Sequence, residues 1–90
     1  MESSFDQEAF FSTLEQDPNR AFEMLFRAYF PYLCVTAYKF IPDDQVVEDL
    51  AQEVFYELWK RKERLSIETS LKAYLRRSVI NRALNYIRLT

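Results

Sequence analysis

The chain has no glycine among its 90 residues, against an average usage of roughly 7%. Glycine is the residue that enters φ > 0 without steric cost. Tight two-residue hairpins and left-handed helix caps are therefore hard to build here, and phosphate-cradling glycine loops are excluded outright. What remains accessible is an all-α domain whose helices are started and stopped by Asp, Asn, Ser and Pro. Hydrophobic residues at 49% and aromatics at 17% make the chain too apolar for disorder. At this length it buries roughly 60–65% of the surface that its unfolded form exposes, enough for one small core.

Four periodic segments follow along the chain. Ser4-Phe5-Asp6-Gln7 has the spacing of a capping box and opens a short helix carrying Phe10, Phe11 and Leu14. It is expected to stop before Asp17-Pro18-Asn19, where Asp17 can cap the next helix and Pro18 suits its first position. The second helix carries Phe22, Leu25, Phe26, Tyr29 and Phe30. Pro31 removes a backbone donor and crowds the preceding turn, which predicts a kink or short break near Tyr29. Helix then continues from Tyr32 to Phe40, up to Pro42. Asp43 or Asp44 caps a third helix running to about Arg61, with Val47, Leu50, Ala51, Val54, Phe55 and Leu58 on one broad face. Asp49, Gln52, Glu53, Tyr56 and Lys60 fall on the other. A polar loop from Lys62 to Thr69 leads to a fourth helix, capped by Thr69 or Ser70 and starting at Leu71. That helix has one apolar stripe of Leu71, Leu75, Val79 and Tyr86, and a second of Ala73, Ile80, Leu84 and Ile87. Lys72, Arg76, Arg77, Asn81 and Arg88 lie between them. A helix apolar on two sides is expected to be covered on two sides. The sum is a compact four-helix bundle in a single domain, residues 1–90.

Charge is sorted along this bundle. Residues 1–59 hold twelve acidic side chains against three basic ones (net −9), and residues 60–90 hold nine basic against two acidic (net +7). The formal net charge of −2 hides this division, which points either to two different partners, the basic end facing nucleic acid, or to two solvated, mutually attractive faces. With no histidine and one cysteine, zinc sites and Cys–His or Ser–His catalysis are unavailable. The carboxylates sit on a solvated helix face, a poor setting for acid/base work. No enzyme activity, cofactor or metal is expected. Cys34, within an apolar run, reads as a small buried residue. One cysteine forms no disulfide within the chain, in keeping with a reducing cytoplasm. The acidic start MESSFDQE lacks the form of a signal peptide, and no apolar run has the length of a membrane span.

Asp49, Glu53 and Glu57 repeat at i, i+4, where like charges cost about 0.2–0.5 kcal/mol per pair; only a Glu57–Arg61 pair offers local relief. The ridge is either a solvated face or one that a basic partner reads.

Asp49-Leu50-Ala51-Gln52-Glu53-Val54-Phe55, followed by Leu58-Trp59, resembles the D-x-x-Q-E-x-F-x-x-L-W signature of bacterial sigma factors, and within them the extracytoplasmic-function group. The resemblance runs upstream through Ala21-Phe22, Leu25-Phe26 and Tyr29-Phe30-Pro31-Tyr32-Leu33. Downstream it runs through Ala73-Tyr74-Leu75 and Asn81-Arg82-Ala83-Leu84-Asn85-Tyr86-Ile87-Arg88. It covers about residues 20 to 90 and implies the sigma region 2 fold. It also implies that Asp49, Gln52 and Glu53, with Trp59 near the contact, dock on a coiled coil of the largest subunit of core RNA polymerase. Phe55 lies at the edge of the buried face and reads as core. The fourth helix is similar to the part of the family that captures and melts the promoter minus-ten element on its non-template strand. Lys72, Arg76 and Arg77 would meet phosphates, Asn81 would lie on the DNA side, and Tyr74 would either stack at the melting fork or pack between helices.

Two departures accompany the resemblance. Asn85 stands where many relatives have Asp, so its pairing with Arg88 is weakened to a neutral-acceptor contact or lost. The family's second, helix-turn-helix domain is absent from this chain. The resemblance leaves room for an anti-sigma partner. It also leaves an alternative role, an interaction module that occupies polymerase or an anti-sigma factor without reading DNA, and a weaker one, a helical single-strand binder that needs no polymerase.

Overall fold

The hydrophobic periodicity resolves into helices that end where the capping residues stand. The computed structural model describes residues 5–65 and 70–89. Helix α1 is Gln7–Gln16, α2 is Pro18–Tyr38, α3 is Asp44–Lys60 and α4 is Leu71–Leu89; a short 3-10 turn spans Lys62–Arg64. No strand occurs among the described residues. Helix α1 packs on α2, α2 on α3 and α4, and α3 on α4.

Three helix starts use a carboxylate. Asp6 accepts from Ala9 N–H at 3.0 Å, Asp17 from Arg20 N–H at 3.2 Å, and Asp43 from Gln45 and Val46 N–H. Asp6 is thus the cap of α1, where the capping-box spacing pointed to Ser4, which lies outside the described residues. Pro18 follows Asp17 as the first residue of α2, where its missing N–H costs nothing. The helix ends show what the absence of glycine imposes. No described residue has positive φ, so left-handed caps are replaced by tightened turns. Arg61 N–H bonds to Leu58 O at 3.0 Å and Phe40 N–H to Ala37 O at 2.9 Å. The 3-10 turn that follows α3 carries the same tightening into the segment expected to be loop.

Helix α2 corrects part of one expectation. Of the kink or short break expected near Tyr29, no break occurs, the helix running on through Pro31. Pro31 and Arg27, whose carbonyl loses its partner, are both exposed, so water can satisfy the freed group. Leu25 and Leu33, on either side, are fully buried and hold both halves to the same core.

That core takes Phe10 from α1, Phe22, Leu25 and Leu33 from α2, six α3 residues from Val47 to Leu58 including Phe55, and Leu71, Leu75, Val79 and Ala83 from α4. Aromatic rings link the first three helices. Phe10 meets Phe22 edge-on at 5.6 Å and Phe22 meets Trp59 at 5.0 Å, contacts worth about 0.5–1.5 kcal/mol each beyond burial. Cys34 is half-buried rather than buried.

Helix α4 gives a second correction. Its first stripe is buried, with Ala83 added and Tyr86 only partly covered. Of the second stripe, Ile80 packs against the core, but Leu84 is 47% and Ile87 45% exposed and Ala73 is exposed. Most of that side thus keeps access to solvent. Leu75→Ala should therefore cost about 2–5 kcal/mol of unfolding free energy, while Leu84→Ala should change it by no more than about 0.5 kcal/mol. Urea denaturation of both variants separates a one-sided helix from a two-sided one.

Candidate functional site

Helix α3 buries one face through Val47, Leu50, Ala51, Val54 and Leu58, and this turns Asp49, Gln52, Glu53 and Tyr56 to solvent. The expected docking residues therefore share a surface, with the exception of Trp59. Trp59 is half-buried at the edge of that face, its ring against Phe22 and the Lys62 ammonium 3.9 Å from its centroid. Tyr56, 60% exposed, stands in the middle of the acidic face with Lys60 5.0 Å from its ring centroid. Sequence reasoning put Tyr56 on this face without assigning it a role.

The acidic ridge is partly neutralised from within. Asp49 accepts a hydrogen bond from Gln45 Nε2 at 3.0 Å. Glu57 pairs with Lys60 at 3.3 Å, rather than with Arg61 as the spacing suggested. Glu53 reaches across to α4 and meets Arg82 Nη1 at 3.0 Å. The Glu53–Arg82 contact is the one described ion pair between helices. Its partners lie 29 positions apart, beyond the reach of helical periodicity.

On α4 the buried stripe fixes the rotation and hence where the expected DNA contacts fall. At 3.6 residues per turn, Tyr74 and Asn81 lie about 20° apart around the helix and Arg77 within about 60° of both. Lys72 lies on roughly the opposite side of the axis, its ammonium 5.0 Å from the Tyr32 ring of α2. Arg76 and Arg77 are exposed. The five residues thus divide into a Tyr74–Arg77–Asn81 group and a Lys72–Arg76 group. Tyr74 is half-buried and lines a cavity of about 330 Å³ between α3 and α4. Val54 and Glu57 from α3, Arg61 just beyond its end, and Ser78, Asn81, Arg82 and Asn85 from α4 complete that wall. Its ring is thus neither fully exposed nor core. Asn85 keeps a neutral contact with Arg88, accepting a hydrogen bond at Oδ1.

Burial, and secondarily the Glu48 carboxylate, push the Cys34 thiol up, so it stays protonated at neutral pH and is a poor nucleophile. Among the described residues no group of three or more His, Cys, Asp or Glu side chains could hold a metal ion. No described helix is long and apolar enough to cross a membrane.

The arrangement is an acidic, solvent-facing helix set against a basic one. Residues 25–90 match the model of sigma-70 region 2. The chain belongs to the sigma-70 region 2 family. No curated protein and no solved structure matches it. Region 2 is the part of a sigma factor that binds RNA polymerase and recognises the promoter minus-ten element, a transcription-factor domain rather than an enzyme. Helix α1 precedes the matched residues.

The Glu53–Arg82 bridge makes a measurable demand on this region 2 domain. Both side chains keep solvent access, at 55% and 31%, so a double-mutant cycle with Glu53→Gln and Arg82→Gln should return a coupling of only about 0.2–1 kcal/mol. The coupling should shrink as salt is raised, since partly exposed charges are screened.

Proposed function

We propose that the chain is the polymerase-docking and minus-ten-recognising domain of a bacterial, cytoplasmic sigma factor of the extracytoplasmic-function group. Asp49, Gln52 and Glu53, with Trp59 at the edge, dock on the coiled coil of the largest subunit of core RNA polymerase. Lys72, Tyr74, Arg76, Arg77 and Asn81 engage the non-template strand of the minus-ten element. Residues 1–90 act as one domain, and polymerase supplies the catalysis.

One observation carries this reading: the acidic face of α3 and the polar, basic face of α4 are neighbours, joined at Glu53–Arg82. A partner seated on α3 is therefore beside whatever α4 holds, as a factor that delivers a strand to an enzyme requires. The α4 side has the chemistry for a single strand, with cations for phosphates and a half-exposed ring beside an amide for a base. A free domain with net charge −2 repels DNA at long range, so strand binding belongs to the polymerase complex.

Glu53→Lys should weaken binding to core polymerase while costing no more than about 1 kcal/mol of stability, since the lost Arg82 pair is partly exposed. Fluorescence anisotropy against core enzyme, beside thermal unfolding of the variant, reads both. In the complex, Arg76→Ala should reduce the slope of log affinity against log salt by about 0.7 for a pre-melted minus-ten strand. Tyr74→Ala should instead cost on the order of 1–3 kcal/mol of strand binding with little change in slope. Variants that match wild type in affinity and slope would remove α4 as the reading element.

A second reading keeps the docking surface and replaces DNA with protein, for example an anti-sigma factor. The half-exposed Leu84 on α4, with arginines on the same helix, favours it, because an acidic amphipathic helix would cover it. Under that reading Leu84→Asp weakens a protein complex and leaves strand binding intact.

A further inference from the structure

The proposed strand contacts begin at the first turn of α4; the buried stripe fixes their rotation, and whatever seats that turn sets their height. A helix leaves its first backbone N–H groups without partners inside the helix. Ser70 Oγ accepts from Ala73 N–H at 3.2 Å, the ordinary reach of a local cap. Tyr74 N–H makes the first internal bond, to Ser70 O at 3.0 Å. Leu71 N–H is satisfied differently. It donates to Gln7 Oε1 at 2.7 Å, a part-buried bond across 64 positions.

Gln7 is well placed to act as a fixed point. It is the first residue of α1, which Asp6 caps. One turn later Phe10 is fully buried against Phe5, Phe11 and Phe22. Leu71 is only 5% exposed, so water is a poor substitute for the Gln7 oxygen, and a buried donor left without an acceptor is costly. The next residue, Lys72, lies over the Tyr32 ring of α2. The start of α4 is thus tied to α1 by a hydrogen bond and to α2 by a cation–π contact.

We propose that Gln7 is the positioning residue for the strand-reading end of α4. By holding Leu71 N–H it sets how Lys72 and Tyr74 are presented, so α1, outside the residues that match the family, takes part in minus-ten recognition without touching DNA. This role rests on α4 being the strand reader. Gln7 has no part in docking, since α3 carries that surface.

Gln7→Met keeps the side-chain length and removes the acceptor oxygen. Gln7→Glu keeps an acceptor and adds a charge that a helix N-terminus favours. Two readouts are needed: amide hydrogen exchange of residues 71–74 in the free chain, and affinity of the core polymerase complex for a labelled minus-ten non-template oligonucleotide. Both are taken at a temperature where circular dichroism shows every variant folded, with core polymerase affinity as control. Gln7→Met should speed exchange at Leu71, weaken strand binding roughly tenfold, the equivalent of one lost buried hydrogen bond, and leave core affinity unchanged. Gln7→Glu should restore both. If Gln7→Met does not fold, Gln7→Ser, small and polar but too short to reach Leu71, replaces it with the same expectations. Unchanged exchange at Leu71 overturns the proposal. Faster exchange with wild-type strand affinity also overturns it, leaving a cap of purely structural value. A wild-type complex that binds no strand removes the strand-reading function itself, and this role with it, before any variant is compared.

Discussion

Burial of Leu71, Leu75, Val79 and Ala83 against the other helices sets the rotation of α4, and that rotation decides what the domain presents. Residues four apart drift by about 40° around a helix, so this stripe sweeps a broad sector and leaves little freedom to roll. A roll large enough to bury the opposite side would put Arg77 into the core, and an unpaired buried charge is far more expensive than an uncovered leucine. The outcome is asymmetric: Tyr74, Asn81 and Arg82 line the side toward α3, while Leu84 and Ile87 stay about half exposed. The surface that faces partners follows from what the core could not take in.

Electrostatics complete the arrangement. The division into an acidic front and a basic back becomes, in three dimensions, two adjoining helices of opposite sign. They do not cancel. Glu53 and Arg82 pair across the contact and Glu57 and Lys60 pair locally, while Asp49 and Gln52 remain on the outer face. Packed helices lie about 8–10 Å apart, close to the Debye length of about 8 Å at physiological salt. Each face thus keeps most of its own sign for a partner at contact distance.

A chain without glycine pays for helix termination with side chains. Asp6, Asp17, Asp43 and Ser70 start the helices, and tightened turns end two of them. Every helix also leaves its first backbone donors without internal partners, and at α4 one of these is met by a distant residue, as Gln7 meets Leu71. Such a bond joins the first and last helices of the domain, whose own contact is otherwise slight.

Much of this was legible in the residues because it is local. A cap at Asp17, caps narrowed to Asp43 or Asp44 and to Thr69 or Ser70, the two faces of α3 and the burial of Phe55 follow from periods and bonds that span no more than four positions. The exposure of Asp49, Gln52 and Glu53 was equally readable. Tertiary structure alone decided four things: that α2 continues through Pro31, that most of one stripe of α4 keeps access to solvent, that Glu53 holds Arg82, and that Gln7 holds Leu71. Helical periodicity says which side chains share a face, but not which face meets another helix, or at what height. Pairings across 29 and 64 positions exist only once the core has seated α4 against α3 and α1 against α2, and no local pattern encodes that placement.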